Sequence, residues 1–303
     1  MSDLDILPFR DEHSDEVISV INAAFGFERT AEWFAWKHRE GPWGPSTGVV
    51  ARDAEGIVGV RLLLPWRFTG PEGTVTARRA VEAATLTRAR GKGVFSRLNR
   101  YLQESAPEGP PTFFFSTPNQ QSRDGYAKLG WSWLAPIPHV WKPTVPRRLR
   151  KPLLESDEAI ACFPATRATS GFISSDWTPE TVRWRLDPRT GHHYRTLATP
   201  EGDTGLSYRT IERARVRTLL PIFAWGRASQ RRRLLGEAAY RERAIMVLDT
   251  GEPGGARVSP AAGLRRGESL LAVWPSPTLS TTEWPLEEVA NWRLGFADLE
   301  NVL

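Results

Sequence analysis

TRARGKGVFSRL (residues 87–98) sets two glycines and four basic side chains between an extended segment and a helical pattern. Upstream, TVTARRAVEAATLT (74–87) reads as a strand after the GPEG turn. Downstream, Val94, Phe95, Leu98, Tyr101 and Leu102 recur at helical spacing and mark one face. A strand that breaks into Gly-x-Gly and then a helix presents free backbone N–H groups at the helix N-terminus. Together with the helix dipole they form an anion site. Glycine lets the backbone adopt positive φ and approach a ligand closely. Arg88, Arg90 and Lys92 add charge suited to a polyphosphate. Taken alone, Gly91-x-Gly93 fits equally a glycine turn with solvated arginines.

Further out, strands and helices alternate around this turn. Residues 4–9 read as a strand, and Val17, Ile18, Ile21, Ala24 and Phe25 as one face of a helix. TAEWFAWKHRE (30–40) is a second short helix, closed by GPWGP. GVVARD and IVGVRLLL, split by AEG, form a hairpin pattern. PTFFFSTP (111–118) is a short apolar strand of the kind buried on both faces. SRDGYAKLG (122–130) is a short helix closed by Gly130. The order β-α-α-β-β-β-α-β-α-β predicts an α/β (α+β) mixed sheet with helices on its faces. KPTVPRRLRKPLLESD (142–157) is Pro-rich and charged, which suits a linker. It divides the chain into residues 1–143, a linker 144–157 and residues 158–303. In the second half, residues 193–225 read as three strands, ASQRRRLLGEAAYRERA as a helix, and AIMVLDT and SLLAVWP as two more strands.

The 303 residues suit two domains of about 150 each, and 13 Trp with 13 Phe supply the cores. The start lacks an apolar signal region, and no run of about 18 apolar residues suggests a membrane span. The longest apolar stretches, Ala159–Phe163 and Thr218–Trp225, read as buried strands. The single cysteine, Cys162, excludes a disulfide framework and a multi-cysteine metal site; its apolar setting reads as an inert buried thiol. These features predict a soluble, cytoplasmic protein. The five histidines lack ligand spacing, so no metal is expected. A net charge of +5 permits a phosphate-bearing ligand or a nucleic acid. The surplus gathers in the second half, around PRRLRK (146–151) and QRRR (230–233).

Arg88-Ala89-Arg90-Gly91-Lys92-Gly93 has the Gln/Arg-x-x-Gly-x-Gly/Ala spacing of the GNAT superfamily of N-acetyltransferases. It stands after the fourth strand and opens the third helix, where that family carries it. Tyr126-Ala-Lys-Leu-Gly130-Trp131 is similar to the family's Tyr-x-x-x-Gly-Phe. Many members carry a glycine at the position of Phe95; a subset has phenylalanine there, as here. The resemblance covers roughly residues 1–141. It implies that backbone amides from Arg88 through Ala89, Arg90, Gly91, Lys92 and Gly93 to Val94 cradle the pyrophosphate of acyl-CoA. It further implies that pantetheine pairs along Ala84, Thr85 and Leu86 like an added strand. Trp184-Arg185-Leu186 and the closing Asn291-Trp292-Arg293-Leu294 resemble segments of two-domain acetyltransferases. The second half lacks the glycine turn, so it resembles a degenerate GNAT-like domain without acyl-CoA of its own. The two-lobed layout is also similar to Fem-type transferases, which draw on aminoacyl-tRNA.

Acyl transfer from a thioester to an amine needs a base, an oxyanion site and an acid for the leaving thiolate. Glu82, an acid on an otherwise apolar strand, is the candidate base, its pKa to be raised by burial; the alternatives are exposure to solvent or pairing with Arg79. Tyr126 matches the family tyrosine that faces the sulfur, and otherwise reads as helix packing. The N–H of Thr85 or Leu86 would polarise the thioester. Asn119 and Ser116 touch pantetheine or cap the next helix. Trp33, Trp36 and Trp43 wall an acceptor pocket or form core. Two catalytic readings follow: transfer of an acyl group, acetyl foremost, from acyl-CoA to a small-molecule amine, or amide formation from aminoacyl-tRNA with the tRNA end in the pantetheine slot. A third reading is a binding module that kept the coenzyme site without turnover.

Overall fold

The computed structural model describes residues 4–105, 112–118, 122–134, 136–165, 172–213, 215–250 and 264–299. Its first part runs β1 (Asp5–Pro8), α1 (Ser14–Phe25), α2 (Ala31–His38), β2 (Thr47–Asp53), β3 (Gly56–Gly70), β4 (Gly73–Thr85), α3 (Val94–Glu104), β5 (Thr112–Ser116), α4 (Arg123–Lys128), β6 (Ser132–Trp133) and β7 (Ile137–Pro143). The chain continues with β8 (Leu154–Glu155), α5 (Ser156–Ala161), β9 (Ile173–Ser175), α6 (Pro179–Arg185), β10 (Arg195–Ala198), β11 (Gly205–Arg213) and β12 (Val216–Trp225). It closes with α7 (Ala228–Glu242), β13 (Met246–Thr250), β14 (Leu264–Ser269), β15 (Ala272–Pro275), β16 (Trp292–Arg293) and α8 (Phe296–Leu299). The elements before β6 follow the order expected from periodicity.

Among the described residues these strands form two sheets. The first has the order β1-β2-β3-β4-β5-β15-β6, with β9 on the far end of β3 and β16 on β9. The second has the order β14-β7-β13-β12-β11-β10-β8. The sheets therefore exchange strands. β15 enters the first sheet between β5 and β6, pairing Ala272 with both Ser116 and Trp133. β7 leaves for the second sheet, where it pairs β13 and β14. The Pro-rich stretch after β7 is tied to α7: the Arg147 N–H donates to the Gly236 carbonyl at 2.9 Å, and the Leu149 N–H to Glu237 at 2.5 Å.

The alternation of β2 separates two cores. Val50 faces α1 and α2 and packs with Val17, Ile21, Phe34 and Trp36. Val49 and Ala51 face α3 and pack with Val94 and Leu98. Helix α2 starts at Thr30, whose side chain accepts the Trp33 N–H at 3.2 Å. The α1–α2 core runs on into the second half. Trp36 stacks on Trp184 with ring centroids 5.4 Å apart, and each indole N–H donates to the other's carbonyl at 2.8 and 3.0 Å. Trp43, partly buried, packs against this core on Trp66 and Trp177.

Two sequence expectations fail here. Ala159–Phe163 is not a strand: Ala159 to Ala161 close α5. The run of apolar residues is too short for its periodicity to separate strand from helix, and Asp157 and Glu158 in the first turn favour the helix. Cys162 is only partly buried, at the end of α5, with its thiol donating to the Glu158 carbonyl at 3.4 Å.

Candidate acyl-transfer site

The β3–β4 ladder shifts register between Val60 and Leu62, so Glu82 and Ala83 together oppose Arg61. This is a β-bulge. Glu82 takes the left-handed backbone, φ +50°, a conformation that costs a non-glycine residue about 1–3 kcal/mol. The bulge aims its carboxylate at α2, where the Lys37 ammonium donates to it. Lys37 is buried and Glu82 mostly so, and His38 Nε2 lies 3.8 Å from the same carboxylate oxygen. Burial holds the Lys37 pKa below its ordinary value, opposed by Glu82. Burial, reinforced by Lys37, holds His38 well below 6.5, and its Nδ1 lies 2.9 Å from Ser46 Oγ. The partner of Glu82 is thus Lys37, not Arg79.

Beside this bulge the sheet opens. β4 and β5 run parallel only from Thr76/Thr112 to Arg79/Phe115. Ser116 Oγ donates to the Ala80 carbonyl at 3.1 Å and marks the fork. Beyond it, Val81, Ala84 and Thr85 pair with β3 alone among the described residues. Tyr126, from α4, reaches the same fork from the α3 side. Its hydroxyl accepts from Arg61 and donates to Ser116 Oγ at 2.9 Å. The ring is buried and packs edge-on against Phe95 and Trp131. Glu82 and Tyr126 therefore approach the open edge from opposite faces.

The turn follows at the end of that edge. Leu86 N–H still bonds the Val58 carbonyl at 2.8 Å. Ala89, Arg90 and Lys92 spend their N–H groups inside the turn, on Leu86, Thr87 and Ala89. The N–H groups of Arg88, Gly91, Gly93 and Val94 have no acceptor among the described residues. Gly91 and Gly93 carry φ of +76° and +72°, and Gly93 is the N-cap of α3. Only glycine adopts this pair of conformations without strain. The side chains are less free than the backbone. Arg88 is engaged by Asp53, and that hydrogen bond lowers the Asp53 pKa. Arg90 donates to the Thr85 and Ala24 carbonyls at 3.4 and 3.3 Å. Lys92 is exposed. Asn119 lies outside the described residues. Lys37, Arg61 and Ser46 complete the site and carry no motif. Only their burial beside Glu82, Tyr126 and His38 singles them out.

Known proteins match this chain in sequence over its first part and in overall fold. Residues 5–134 match the sequence model of the acetyltransferase (GNAT) domain. Residues 5–134 belong to the GNAT acetyltransferase family. As a GNAT-domain protein the chain is an acyltransferase. No curated protein matches it significantly. Solved structures resemble it in fold. A probable N-acyltransferase from Enterococcus faecalis V583 has 13% identity over 91% of this chain and 73% of that chain, at a TM-score of 0.68. A GCN5-related N-acetyltransferase from Anabaena variabilis has 12% identity, over 89% and 72%, at 0.65. A tandem GNAT protein from the clavulanic acid biosynthesis pathway has 13% identity, over 90% and 99%, at 0.54. These likenesses span both sheets, so the second half shares in the tandem GNAT fold.

Proposed function

We propose that this GNAT protein transfers an acyl group, acetyl foremost, from acyl-CoA to the amine of a small molecule by direct attack in a ternary complex. The observation that carries the reading is the parted β4 edge that ends in unpaired amides at Gly91, Gly93 and Val94. Pantetheine would pair along Ala84, Thr85 and Leu86, and the pyrophosphate would lie on the amides with Arg88, Arg90 and Lys92 around it. Residues 1–143 hold the donor in this reading, 144–157 tie the halves together, and 158–303 form the second, donor-free half. The acceptor amine loses its proton to Glu82 and attacks the thioester carbonyl. The C–N bond forms, the C–S bond breaks, and Tyr126 returns a proton to the thiolate. Ser116 fixes the Tyr126 hydroxyl, and no covalent enzyme intermediate is needed once both substrates are held together.

The aminoacyl-tRNA alternative gains nothing from the family match. Arg231, Arg232 and Arg233 lie along α7, which packs on β11 and β12 of the second sheet. The test is calorimetry of the whole chain with acetyl-CoA and coenzyme A. Micromolar binding is expected. Gly91→Glu puts a side chain at a left-handed position and a charge beside the phosphates, and weakens binding by on the order of tenfold or more. An unchanged affinity in that variant, or no binding by the parent, would sink the reading.

A further inference from the structure

We propose that the acceptor side of this site is built for an amine that also carries a carboxylate, held by Arg29 and the Trp33 indole while the amine lies at Glu82. The inference rests on the acyl-transfer reading above and names its acceptor class.

The loop between α1 and α2 is fixed, not open. Asn22 clamps it with two hydrogen bonds to the Arg29 backbone, at 3.0 and 2.7 Å. Arg90 of the donor turn donates to the Ala24 carbonyl in the last turn of α1, so the start of the loop and the donor turn are neighbours. Phe25 and Phe27 form its exposed rim, 43% and 48% accessible, with rings 5.7 Å apart. Behind the rim, the Arg29 guanidinium lies 4.8 Å over Phe27 and 4.6 Å over Trp33. Lys37 lies 5.0 Å from the same Trp33 ring and reaches on to Glu82. One indole thus links Arg29 to the base.

The donors on this path outnumber the acceptors. Arg29 Nε and Trp33 Nε1 are buried and have no hydrogen-bond partner among the described residues. Trp33 as a whole is 4% exposed. The charges are unbalanced in the same sense. Lys37 is offset by Glu82, and Arg79 acts on Asp298, whereas Arg29 makes no ion pair among the described residues. Buried N–H donors left without an acceptor are costly. A ligand carboxylate would satisfy Arg29 and Trp33 together, and a guanidinium held against two aromatic rings loses less freedom on pairing with it. A polycationic acceptor would face Arg29 and Lys37 at once and be repelled.

The experiment follows thiol release from acetyl-CoA with matched acceptors: β-alanine and its amide, 4-aminobutyrate and its methyl ester, 2-aminoethyl phosphate, and spermidine. The acids are expected to exceed their neutral counterparts at least tenfold in kcat/KM, through KM. In Arg29→Gln the ratio of acid to neutral rates falls to about one. Equal rates for acid and ester in the parent, or a preference for 2-aminoethyl phosphate or spermidine, would overturn the proposal. A second readout needs no turnover. The Trp33 indole N–H, assigned in a 1H–15N spectrum with Trp33→Phe, is expected to shift with 4-aminobutyrate in the parent and not in Arg29→Gln. A shift without acyl transfer leaves the carboxylate site standing and removes the activity. Transfer with neither shift nor acid preference removes the site and leaves the activity.

Discussion

At the scale of single residues, the site turns on a carboxylate in a strained backbone and the groups buried with it. Glu82 is held in the left-handed region by the β3–β4 ladder on either side of the bulge, and the same bulge turns its carboxylate toward α2. Lys37 and His38 then enter the core as neighbours of that carboxylate, and His38 stays neutral because burial and Lys37 both disfavour its charged form. This has a pH consequence. The folded state does not take up the His38 proton, while the unfolded chain does so below about 6.5. The stability due to neutral His38 is complete above that value and falls as pH drops below it, by up to about 1.4 kcal/mol per pH unit. Urea unfolding at pH 5.5 and 7.5 is expected to show this loss, smaller in His38→Gln. An equal loss in both proteins would remove His38 from the account. The sequence singled out Glu82 and Tyr126, because an acid in an apolar strand and a tyrosine in a Tyr-x-x-x-Gly-Trp segment are local signals. Lys37 and Arg61 gave none, since a lysine on a short helix and an arginine in a strand look solvent-bound until burial pairs them with Glu82 and Tyr126.

At the scale of elements, the donor turn depends on how closely α3 lies on β3. A Cβ at Gly59 would stand 2.5 Å from Val94 Cγ1. Val94 is the first residue of α3 and contributes one of the unpaired amides. Gly59→Ala therefore forces Val94 to give way at the start of α3. The expected cost is about 1–3 kcal/mol of stability from overpacking, with a weaker affinity for coenzyme A measured by calorimetry. Unchanged affinity would mean that the turn tolerates displacement of Val94. Helix α3 itself was legible from its apolar spacing, and so was the strand before it. What periodicity could not show was that only glycine fits at position 59, since a glycine in an apolar strand gives no hint of which side chain crosses above it.

For the whole molecule, the exchange of β7 and β15 makes each sheet depend on the other part of the chain. β15 fills the first sheet between β5 and β6, and the Trp36–Trp184 stack closes the junction with reciprocal hydrogen bonds. C-terminal residues reach the same junction. Asp298 accepts from Ser175 at 2.5 Å, and the Ala297 carbonyl accepts from the buried Arg185 at 3.1 Å. Chains coupled in this way unfold as one unit. Tryptophan fluorescence and far-ultraviolet circular dichroism are expected to give coincident urea transitions. Two separated transitions would show that the exchanged strands do not couple the halves.

The sequence by itself determined the order of elements through β6, the glycine turn at 87–98 and the family to which residues 5–134 belong. These are local properties: turn chemistry, side-chain period and motif spacing are written within a dozen residues. It also marked Ala272–Pro275 as extended, whereas Ile137–Pro143 emerges as a strand of its own only in the structure. Only the tertiary structure decided which sheets these two strands join, because backbone hydrogen bonding is the same for any partner and the choice falls to packing at long range. The tertiary structure likewise decided that Glu82 meets Lys37, that Tyr126 is clasped by Arg61 and Ser116, and that Arg29 Nε and Trp33 Nε1 are buried with no acceptor among the described residues. Each depends on residues far apart in the chain arriving in one low-dielectric place, and no local pattern records that.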